Sequence, residues 1–260
     1  MNKILVIGDS CLDIYIYGKC DRLAPEGPVP VFEPLHHTSN GGMAKNVYNN
    51  LLSINENCEL ITNKEEITKT RYVENRTNHC VIRIDSHGRR IERIESLDIK
   101  FNEYSAIVVS DYDHGFLTTE DIAHIASNHS LVVLDTKKKL GEWCKNIDYI
   151  KINEYEYNQT KNLLSECSFS FKDKLIVTLS ERGCIYKDKT YPVESVEVKD
   201  LAGAGDTFLT GFVSDYLKNN DVVSAINKGN EYASIVVQHR GVTKVGEYLW
   251  MRQKKKYQKK

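Results

Sequence analysis

The chain has 260 residues, with 35 lysines and arginines against 36 aspartates and glutamates and a formal net charge of −1. This length is enough for one large domain or two small ones with a sizeable core. The near-zero charge disfavours nucleic acid as the main partner, because proteins that bind it usually carry excess basic residues. No apolar run approaches the ~20 residues needed to span a membrane, so no membrane partner is expected.

The seven cysteines are scattered along the chain, and none are spaced as Cys-x-x-Cys. Disulfide frameworks and zinc sites usually show regular spacing, so this pattern fits a reducing compartment and gives no metal framework. We therefore expect a cytoplasmic protein.

Short apolar runs that end in a polar residue or a glycine predict buried strands along the whole chain. They lie at 4–7, 106–109, 131–134, 149–152 and 175–179. Helical periodicity occurs between most of them, at 46–54 and at 119–127. Continuous apolar strands that alternate with helices indicate an α/β fold with a mostly parallel sheet covered on both faces.

A different pattern interrupts this alternation early in the chain. Segments 14–17, 29–32, 70–73 and 81–84 look like short antiparallel strands, with prolines that suit sheet edges. We expect a small antiparallel side sheet, from about 12–35 and 68–86, that forms a lid over one end of the main sheet. An apolar outer face would make it a dimer surface.

The predicted globular part is one domain over 1–251, and a basic tail follows at 252–260. Six of the nine residues in that tail are lysine or arginine. Such a run is typical of a solvated chain end, and contact with an anionic surface is the rarer alternative.

Polar or small residues follow several of the predicted strands of the main sheet. They are Gly8-Asp9, Ser110-Asp111, Asp135 and Asn153. In a doubly wound sheet, ligands bind beyond the carboxyl ends of the strands. The shared placement of these residues predicts a polar active site at that edge.

The most informative stretch is Asp-Leu-Ala-Gly-Ala-Gly-Asp-Thr-Phe at 200–208. A strand-like segment at 196–198 precedes it and a periodic helix follows, which predicts a small-residue turn between strand and helix. Free backbone N–H groups and the helix dipole favour an anion there, and Gly203, Ala204 and Gly205 leave room for it. Asp206 adds a carboxylate, an arrangement suited to phosphoryl transfer to a hydroxyl. The plainer alternative is a glycine-rich turn with a helix-starting Asp.

Taken together, these motifs resemble the ribokinase-like (PfkB) family of carbohydrate kinases. Residues 200–208 are similar to the family signature D-T-x-G-A-G-D, and 153–156 are similar to its N-x-x-E. Gly41-Gly42 followed by Asn46 resembles its sugar-binding G-G motif. Residues 178–183 are similar to its nucleotide-side T-x-G-x-x-G turn.

Within this family, the D-glycero-β-D-manno-heptose 7-phosphate kinases are the most similar branch. Residues 22–31, RLAPEGPVPV, are similar to the R-I-S-P-E-A-P-V-P-V of those kinases. The chain departs from the family between 50 and 68, where it is shorter and omits a βα unit that packs near the sugar pocket. This departure therefore concerns the part of the fold that sets acceptor specificity.

The resemblance implies a role for each matching residue. Asp206 would be the general base, and Gly203, Ala204 and Gly205 would supply backbone donors to the transferred phosphoryl group. Sugar contacts are expected from Asp13, Gly41, Gly42, Asn46 and Asp111, the last also a candidate for the metal shell. Nucleotide contacts are expected from Asn153, Thr178, Ser180 and Gly183.

Charged ligands have further candidate partners. Arg22, Arg71 and Arg83 could pair with a phosphate already on the acceptor, although exposed strand arginines are usually just solvated. Glu156 would organise Mg²⁺ through water together with Asn153. The implied cofactors are ATP and Mg²⁺, with a monovalent cation as a further candidate, and a homodimer through the side sheet is expected.

The leading hypothesis is thus an ATP-dependent kinase of a heptose 7-phosphate or a similar sugar. Alternatives are a kinase of another small acceptor, such as a hexose, ribose or nucleoside, and a non-catalytic relative that binds nucleotide or sugar. The shortened 50–68 region favours the non-catalytic alternative, whereas the retained Asp206 opposes it. A dinucleotide-binding dehydrogenase is disfavoured, since no G-x-G-x-x-G follows the first strand.

Overall fold

The computed structural model describes residues 3–86 and 91–257, with side chains described as far as 251. Within those ranges it contains two β-sheets and six α-helices. The strands are β1 Lys3–Gly8, β2 Ser10–Leu23, β3 Pro30–Met43, β4 Asn57–Thr62, β5 Thr68–Glu74, β6 His79–Ser86, β7 Ala106–Asp111, β8 Val132–Thr136, β9 Tyr149–Asn153, β10 Leu175–Thr178, β11 Cys184–Tyr186 and β12 Lys189–Tyr191. The helices are α1 Ala44–Ser53, α2 Thr119–Asn128, α3 Glu154–Thr160, α4 Ala204–Asn219, α5 Val222–Val236 and α6 Val245–Tyr257.

The main sheet has eight strands in the order β12-β11-β10-β9-β8-β7-β1-β4. The six strands from β10 to β4 run parallel to one another, and β11 and β12 form an antiparallel hairpin at one edge. This arrangement confirms the predicted α/β class and the five predicted strands. Those strands carry continuous apolar runs because helices cover both faces.

The alternation of buried side chains along β1 illustrates this coverage. Leu5 and Ile7 belong to one hydrophobic cluster, which also contains residues of α2. Ile4 and Val6 belong to a second cluster, with residues of α1, α4 and α5. The carboxyl ends of the parallel strands therefore open between two helical layers, and the start of α4 lies at that edge.

Two local predictions differ from the structure. Segment 196–198, predicted as a strand, is irregular. The backbone just after it bonds to a helix instead, since the N–H groups of Lys199 and Asp200 donate to the carbonyl of Val237 at 2.8 and 3.2 Å. Strand β4 was not predicted, because its half-exposed edge position leaves Asn57–Thr62 without a continuous apolar run.

The side sheet has the order β3-β2-β5-β6. Its two outer pairings are antiparallel, as predicted, but β2 and β5 pair in parallel. The reason is the connectivity: β1 leads through Asp9 into β2, and the neighbouring parallel strand β4 leads through 63–67 into β5. Strands β2 and β3 are also longer than expected, at 14 residues each.

In the region 50–68, where the chain is shorter than the family pattern, β4 is linked directly to β5. The side chain of Asn63 fastens this link to the start of β2. Its Oδ1 accepts from the Ser10 N–H at 2.7 Å, and its Nδ2 donates to the carbonyls of Ser10 and Glu65 at 3.2 and 2.7 Å. One amide side chain thus holds the side sheet against the main sheet.

The predicted basic tail begins inside α6, and its last three residues lie outside the described residues. No helix of the described chain combines the length and apolarity needed to cross a bilayer.

Candidate active site

A cavity of about 990 Å³ opens at the carboxyl ends of β9 and β10, in front of the first turn of α4. Eight of the residues expected to bind nucleotide or drive catalysis line it. They are Asn153, Thr178, Ser180, Gly183, Gly203, Ala204, Gly205 and Asp206. The fold thus brings the glycine-rich turn and the nucleotide-side turn to one cleft.

The first turn of α4 leaves backbone donors directed at this cavity. Gly203 precedes the helix with a φ of 78°, a left-handed conformation that favours glycine. The Ala204 N–H donates to the carbonyl of Leu201 at 3.3 Å. In the described chain, the N–H groups of Gly205 and Asp206 have no protein acceptor. Free N–H groups at a helix start, together with the helix dipole, favour an anion.

The Asp206 carboxylate lies at the floor of the cavity and is 4% exposed. Its Oδ2 accepts from Nδ2 of Asn46 and its Oδ1 accepts from the hydroxyl of Tyr112, both at 2.8 Å. Burial raises the pKa of Asp206 to about 6, against the lowering effect of the Asn46 hydrogen bond. Asp206 is thus ionised at neutral pH and still basic enough to accept a proton.

A chain of amides orients Asn46. Its Oδ1 accepts from Nδ2 of Asn50 at 2.9 Å, and the Oδ1 of Asn50 accepts from the Val245 N–H at 2.9 Å. The amide nitrogen of Asn46 must therefore point to Asp206. We expected Asn46 to contact a sugar, but the structure places its donor on the carboxylate.

Two lysines to which the sequence assigned no role border the same cavity. Lys151 and Asp135 form a buried ion pair at 2.7 Å, with side chains 5% and 3% exposed. The Lys151 ammonium lies 2.7 Å from the point where a Cβ on Gly205 would be. Lys137 pairs with Glu156. A lysine inside the otherwise apolar strand β9 was the available signal for Lys151.

Asn153 and Glu156 form a reciprocal cap at the start of α3. The Glu156 N–H donates to Oδ1 of Asn153 at 2.9 Å, and Oε2 of Glu156 accepts from the Asn153 N–H at 2.8 Å. Across the described residues, no cluster of three acidic, histidine or cysteine side chains could hold a metal by itself. Asn153 lines the cavity, and Mg²⁺ needs no such cluster, because it keeps several waters and relies on substrate phosphates.

Apolar side chains from two segments line another part of the cavity. They are Val193, Val196, Val198 and Leu201, with Ala233 of α5 and Val237 just after α5. Segment 196–198 therefore forms a wall of the cavity rather than a strand. An apolar slot next to an anion site fits the flat base and the phosphates of a nucleotide.

Gly183 shows why the nucleotide-side turn needs a glycine. It has a φ of 84°, and a Cβ there would lie 2.0 Å from the carbonyl oxygen of Tyr191. The turn can therefore lie close to β12 only without a side chain.

On the acceptor side, Asp13 projects from the inner face of the side sheet and pairs with Arg71. A Cβ on Gly42 would lie 2.0 Å from Oδ2 of Asp13, so this glycine makes room for the carboxylate. Gly41 faces away, toward Lys45. Arg71 lies opposite Arg83 across the β5–β6 pair, and Arg83 bonds to Asp85 at 2.8 Å through each of two nitrogens.

The remaining two candidates for acceptor binding, Arg22 and Asp111, do not join the acceptor-side residues just described. Arg22 is exposed near the far end of β2, on the order of 20 Å along the strand from Tyr15, the residue opposite Arg71. Asp111 is buried and bonds to Nζ of Lys138 at 2.8 Å, which also pairs with Asp113 at 2.7 Å. The carboxylate of Asp111 therefore already has a cationic partner.

Comparison with known proteins identifies relatives over nearly the whole chain. The family described as pfkB family carbohydrate kinase matches residues 66–247. The bifunctional protein HldE of Helicobacter acinonychis is 28% identical over 295 residues, which cover 93% of this chain and 64% of that protein. HldE of Aliarcobacter butzleri is 29% identical over 301 residues, covering 92% and 61%. This chain thus spans somewhat less than two thirds of the length of these relatives.

Solved structures share the fold. A nucleoside kinase of Methanocaldococcus jannaschii, described as an archaeal member of the ribokinase family, has a TM-score of 0.67 at 19% identity and covers 93% of each chain. An Arabidopsis thaliana ribokinase complexed with ribose and ATP has a TM-score of 0.65 at 15% identity, covering 94% of each. The fold is therefore ribokinase-like, and with the family match over most of its length this chain belongs to the pfkB family of carbohydrate kinases.

Proposed function

We propose that this protein transfers the γ-phosphoryl group of ATP to a hydroxyl of a phosphorylated sugar, with D-glycero-β-D-manno-heptose 7-phosphate as the first candidate. The observation that carries the proposal is the position of Asp206. It lies beside two unpaired backbone amides at the floor of a nucleotide-sized cavity.

In the proposed reaction, Asp206 accepts the proton of the acceptor hydroxyl as its oxygen attacks the γ-phosphorus. A new O–P bond forms, the bond between the γ-phosphorus and the β,γ-bridging oxygen breaks, and ADP leaves. General-base catalysis of this kind is typically worth about 10²–10⁴ in rate. The raised pKa of Asp206, about 6, suits a base that works near neutral pH.

The amides of Gly205 and Asp206 are the proposed anion hole for the transferred phosphoryl group. Gly203 and Ala204 contribute the turn itself, since the Ala204 N–H already has a partner. The ammonium of Lys151 lies directly beside this turn and would add positive charge where negative charge develops.

The nucleotide would lie along the rest of the cavity. Its base fits the apolar slot between 193–198 and α5, and its phosphates extend past Thr178, Ser180 and Gly183 toward α4. Mg²⁺ would be held through water by Glu156 and Asn153, and it would neutralise phosphate oxygens.

Three cations support an acceptor that already carries a phosphate. Lys69 and Arg71 lie opposite Asp13 and Tyr15 on the inner face of the side sheet, and Arg83 lies across from Arg71. We propose that Arg71 and Arg83 contact this phosphate and that Asp13, with room provided by Gly42, contacts sugar hydroxyls. The similarity of 22–31 to heptose 7-phosphate kinases supports this substrate class.

The side sheet also suggests a homodimer. Leu35, Ile82 and Ile84 are between 50% and 53% exposed on it, and an apolar surface of this kind is typical of an interface. Size-exclusion chromatography with light scattering would test this point. The seven cysteines are unpaired, which supports a reducing, cytoplasmic location.

The function is tested by measuring ADP release with ATP and a panel of acceptors. The panel contains the heptose 7-phosphate, fructose, fructose 6-phosphate, ribose and a nucleoside. We expect turnover with the heptose 7-phosphate and at least a hundredfold lower kcat/KM with the unphosphorylated acceptors. A preference for ribose or the nucleoside would favour the second candidate function, a kinase of another small acceptor. The direct β4–β5 link supports this alternative, because it changes the region that packs near the sugar pocket in the family.

A parallel measurement of ATP binding by calorimetry completes this test. Clear ATP binding without turnover on any acceptor would contradict the kinase proposal and favour a non-catalytic binding protein.

A further inference from the structure

Tyr112 follows β7 directly and touches the carboxylate at the centre of the site. Its hydroxyl donates to Oδ1 of Asp206 at 2.8 Å, and the residue lines the cavity. We propose, on the basis of the kinase function above, that Tyr112 is a positioning residue. It holds the Asp206 carboxylate in the orientation in which it receives the acceptor's proton.

The backbone of Tyr112 is held by the buried carboxylate of Asp9. Its N–H donates to Oδ2 of Asp9 at 2.6 Å, and the N–H of His114 reaches the same oxygen at 3.4 Å. Asp9 is completely buried at the end of β1. Because Asp9 binds the N–H groups on both sides of Asp113, the backbone from which the Tyr112 side chain extends has a defined position.

The ring of Tyr112 contacts a lysine from each of the two sheets. Nζ of Lys137 is 5.0 Å from the ring centroid, and Nζ of Lys69 is 5.3 Å from it. Lys69 belongs to β5 of the side sheet, whereas Lys137 follows β8 of the main sheet. Both distances are within the range of cation–π attraction, so a lysine from each sheet restrains the ring.

The two oxygens of Asp206 are held from opposite sides. Tyr112 donates to Oδ1, while Asn46, itself oriented by Asn50, donates to Oδ2. A carboxylate has about four acceptor positions, so two remain free for an incoming hydroxyl. With a donor on each oxygen, the plane of the carboxylate is fixed and the free positions have a defined direction.

The groups around Asp206 determine how its pKa would change if the Tyr112 hydroxyl were removed. Asp135 raises the pKa of Asp206, whereas Lys151 and the hydrogen bonds from Asn46 and Tyr112 lower it. Lys137 and Cys11 also interact with this carboxylate electrostatically. Burial raises the pKa of Tyr112 well above its usual 10, so the phenol keeps its proton and acts as a donor.

The test compares Tyr112→Phe with Tyr149→Phe. Phenylalanine keeps the ring near the two lysines and removes only the hydroxyl. Tyr149 is the matched control, because its hydroxyl donates to Tyr216 at 3.1 Å outside the site. For Tyr112→Phe we expect the acidic limb of kcat/KM to move up by about 0.5–1 pH unit, the contribution of one hydrogen bond to the carboxylate. We also expect about a tenfold lower kcat, since a base that is no longer held in place is misdirected.

The KM for ATP should stay within about twofold of wild type, because the phenol does not hold the nucleotide in this account. Titration of the ¹³C carboxyl resonance of Asp206, assigned by its loss in Asp206→Asn, should show the same upward shift without any turnover. The role of Tyr112 would be overturned if the wild type is active but Tyr112→Phe leaves both the acidic limb of kcat/KM and the carboxyl titration of Asp206 unchanged. Equal changes in Tyr149→Phe would also overturn it. A wild type that transfers no phosphoryl group would instead overturn the kinase function.

Discussion

The two sheets contribute to the site in different ways. On the main sheet, the Asp206 carboxylate and the Lys151 ammonium near the start of α4 are buried, and each is held by partners from other elements. On the side sheet, the cations of β5 and β6 are more exposed, and Arg71 and Arg83 pair with nearby carboxylates of the same sheet. Fixed groups suit a reaction that is common to a family, while exposed groups that exchange partners suit acceptor recognition.

The largest expected effect concerns the buried groups of the main sheet. Lys151→Met removes one partner of a buried ion pair and should cost about 3–5 kcal/mol of unfolding free energy, because Asp135 is left unpaired. Urea denaturation measures this loss. The double variant Lys151→Met/Asp135→Leu should recover most of the stability but not the turnover. Recovery of both would show that the pair is purely structural.

Gly205→Val should abolish most turnover while the protein still folds. A Cβ at Gly205 would lie 2.7 Å from the flexible end of Lys151, so the ammonium must move and the anion hole is crowded. Loss of such donors typically lowers kcat by about 10²–10³. Steady-state kinetics with a melting curve as the folding control tests this, and normal kcat would count against the anion hole.

Arg71→Lys probes the side-sheet half of the comparison. It keeps the charge but loses the planar fork, so the KM for a phosphorylated acceptor should rise about tenfold while the KM for ATP stays unchanged. Arg22→Lys is the matched control, because Arg22 lies far along β2 from this group. An equal rise in both variants would disprove a specific phosphate contact at Arg71.

The smallest effect concerns pH in the wild type. Since the pKa of Asp206 is about 6, kcat/KM should be constant above that value and fall about tenfold per unit below it, as the base becomes protonated. The acidic limb should disappear from the residual activity of Asp206→Asn. An acidic limb centred near 4 would mean that the carboxylate is more solvated than the structure indicates.

The sequence predicted the strands that are apolar throughout, and it predicted the helix that begins at Thr119, where Thr118 and Asp121 form a reciprocal cap. It missed β4, an edge strand whose half-exposed residues show no apolar run. It also predicted a strand at 196–198, where the valines line a cavity instead of a sheet. Alternating and apolar patterns report burial, and burial alone does not specify which neighbour a residue packs against.

Motif spacing found the residues of the site that lie close together in the chain, such as Gly203 and Asp206. It assigned no role to Tyr112 or Lys151, because their contacts with Asp206 and Gly205 join residues far apart in sequence. It grouped Arg22 with Arg71 by residue type, although the length of β2 separates them. Contacts across sheets depend on register and connectivity, which short motifs do not encode.

The most direct test of the central claim is single-turnover transfer from γ-³²P-ATP to the best acceptor, in wild type and in Asp206→Asn. We predict that Asp206→Asn lowers the transfer rate by about 10²–10⁴, or ~3–5 kcal/mol of barrier, with an unchanged ATP Kd. Its melting temperature should not fall: a raised folded-state pKa means that the ionised carboxylate destabilises the fold above pH 6. Transfer by Asp206→Asn at the wild-type rate would contradict the account.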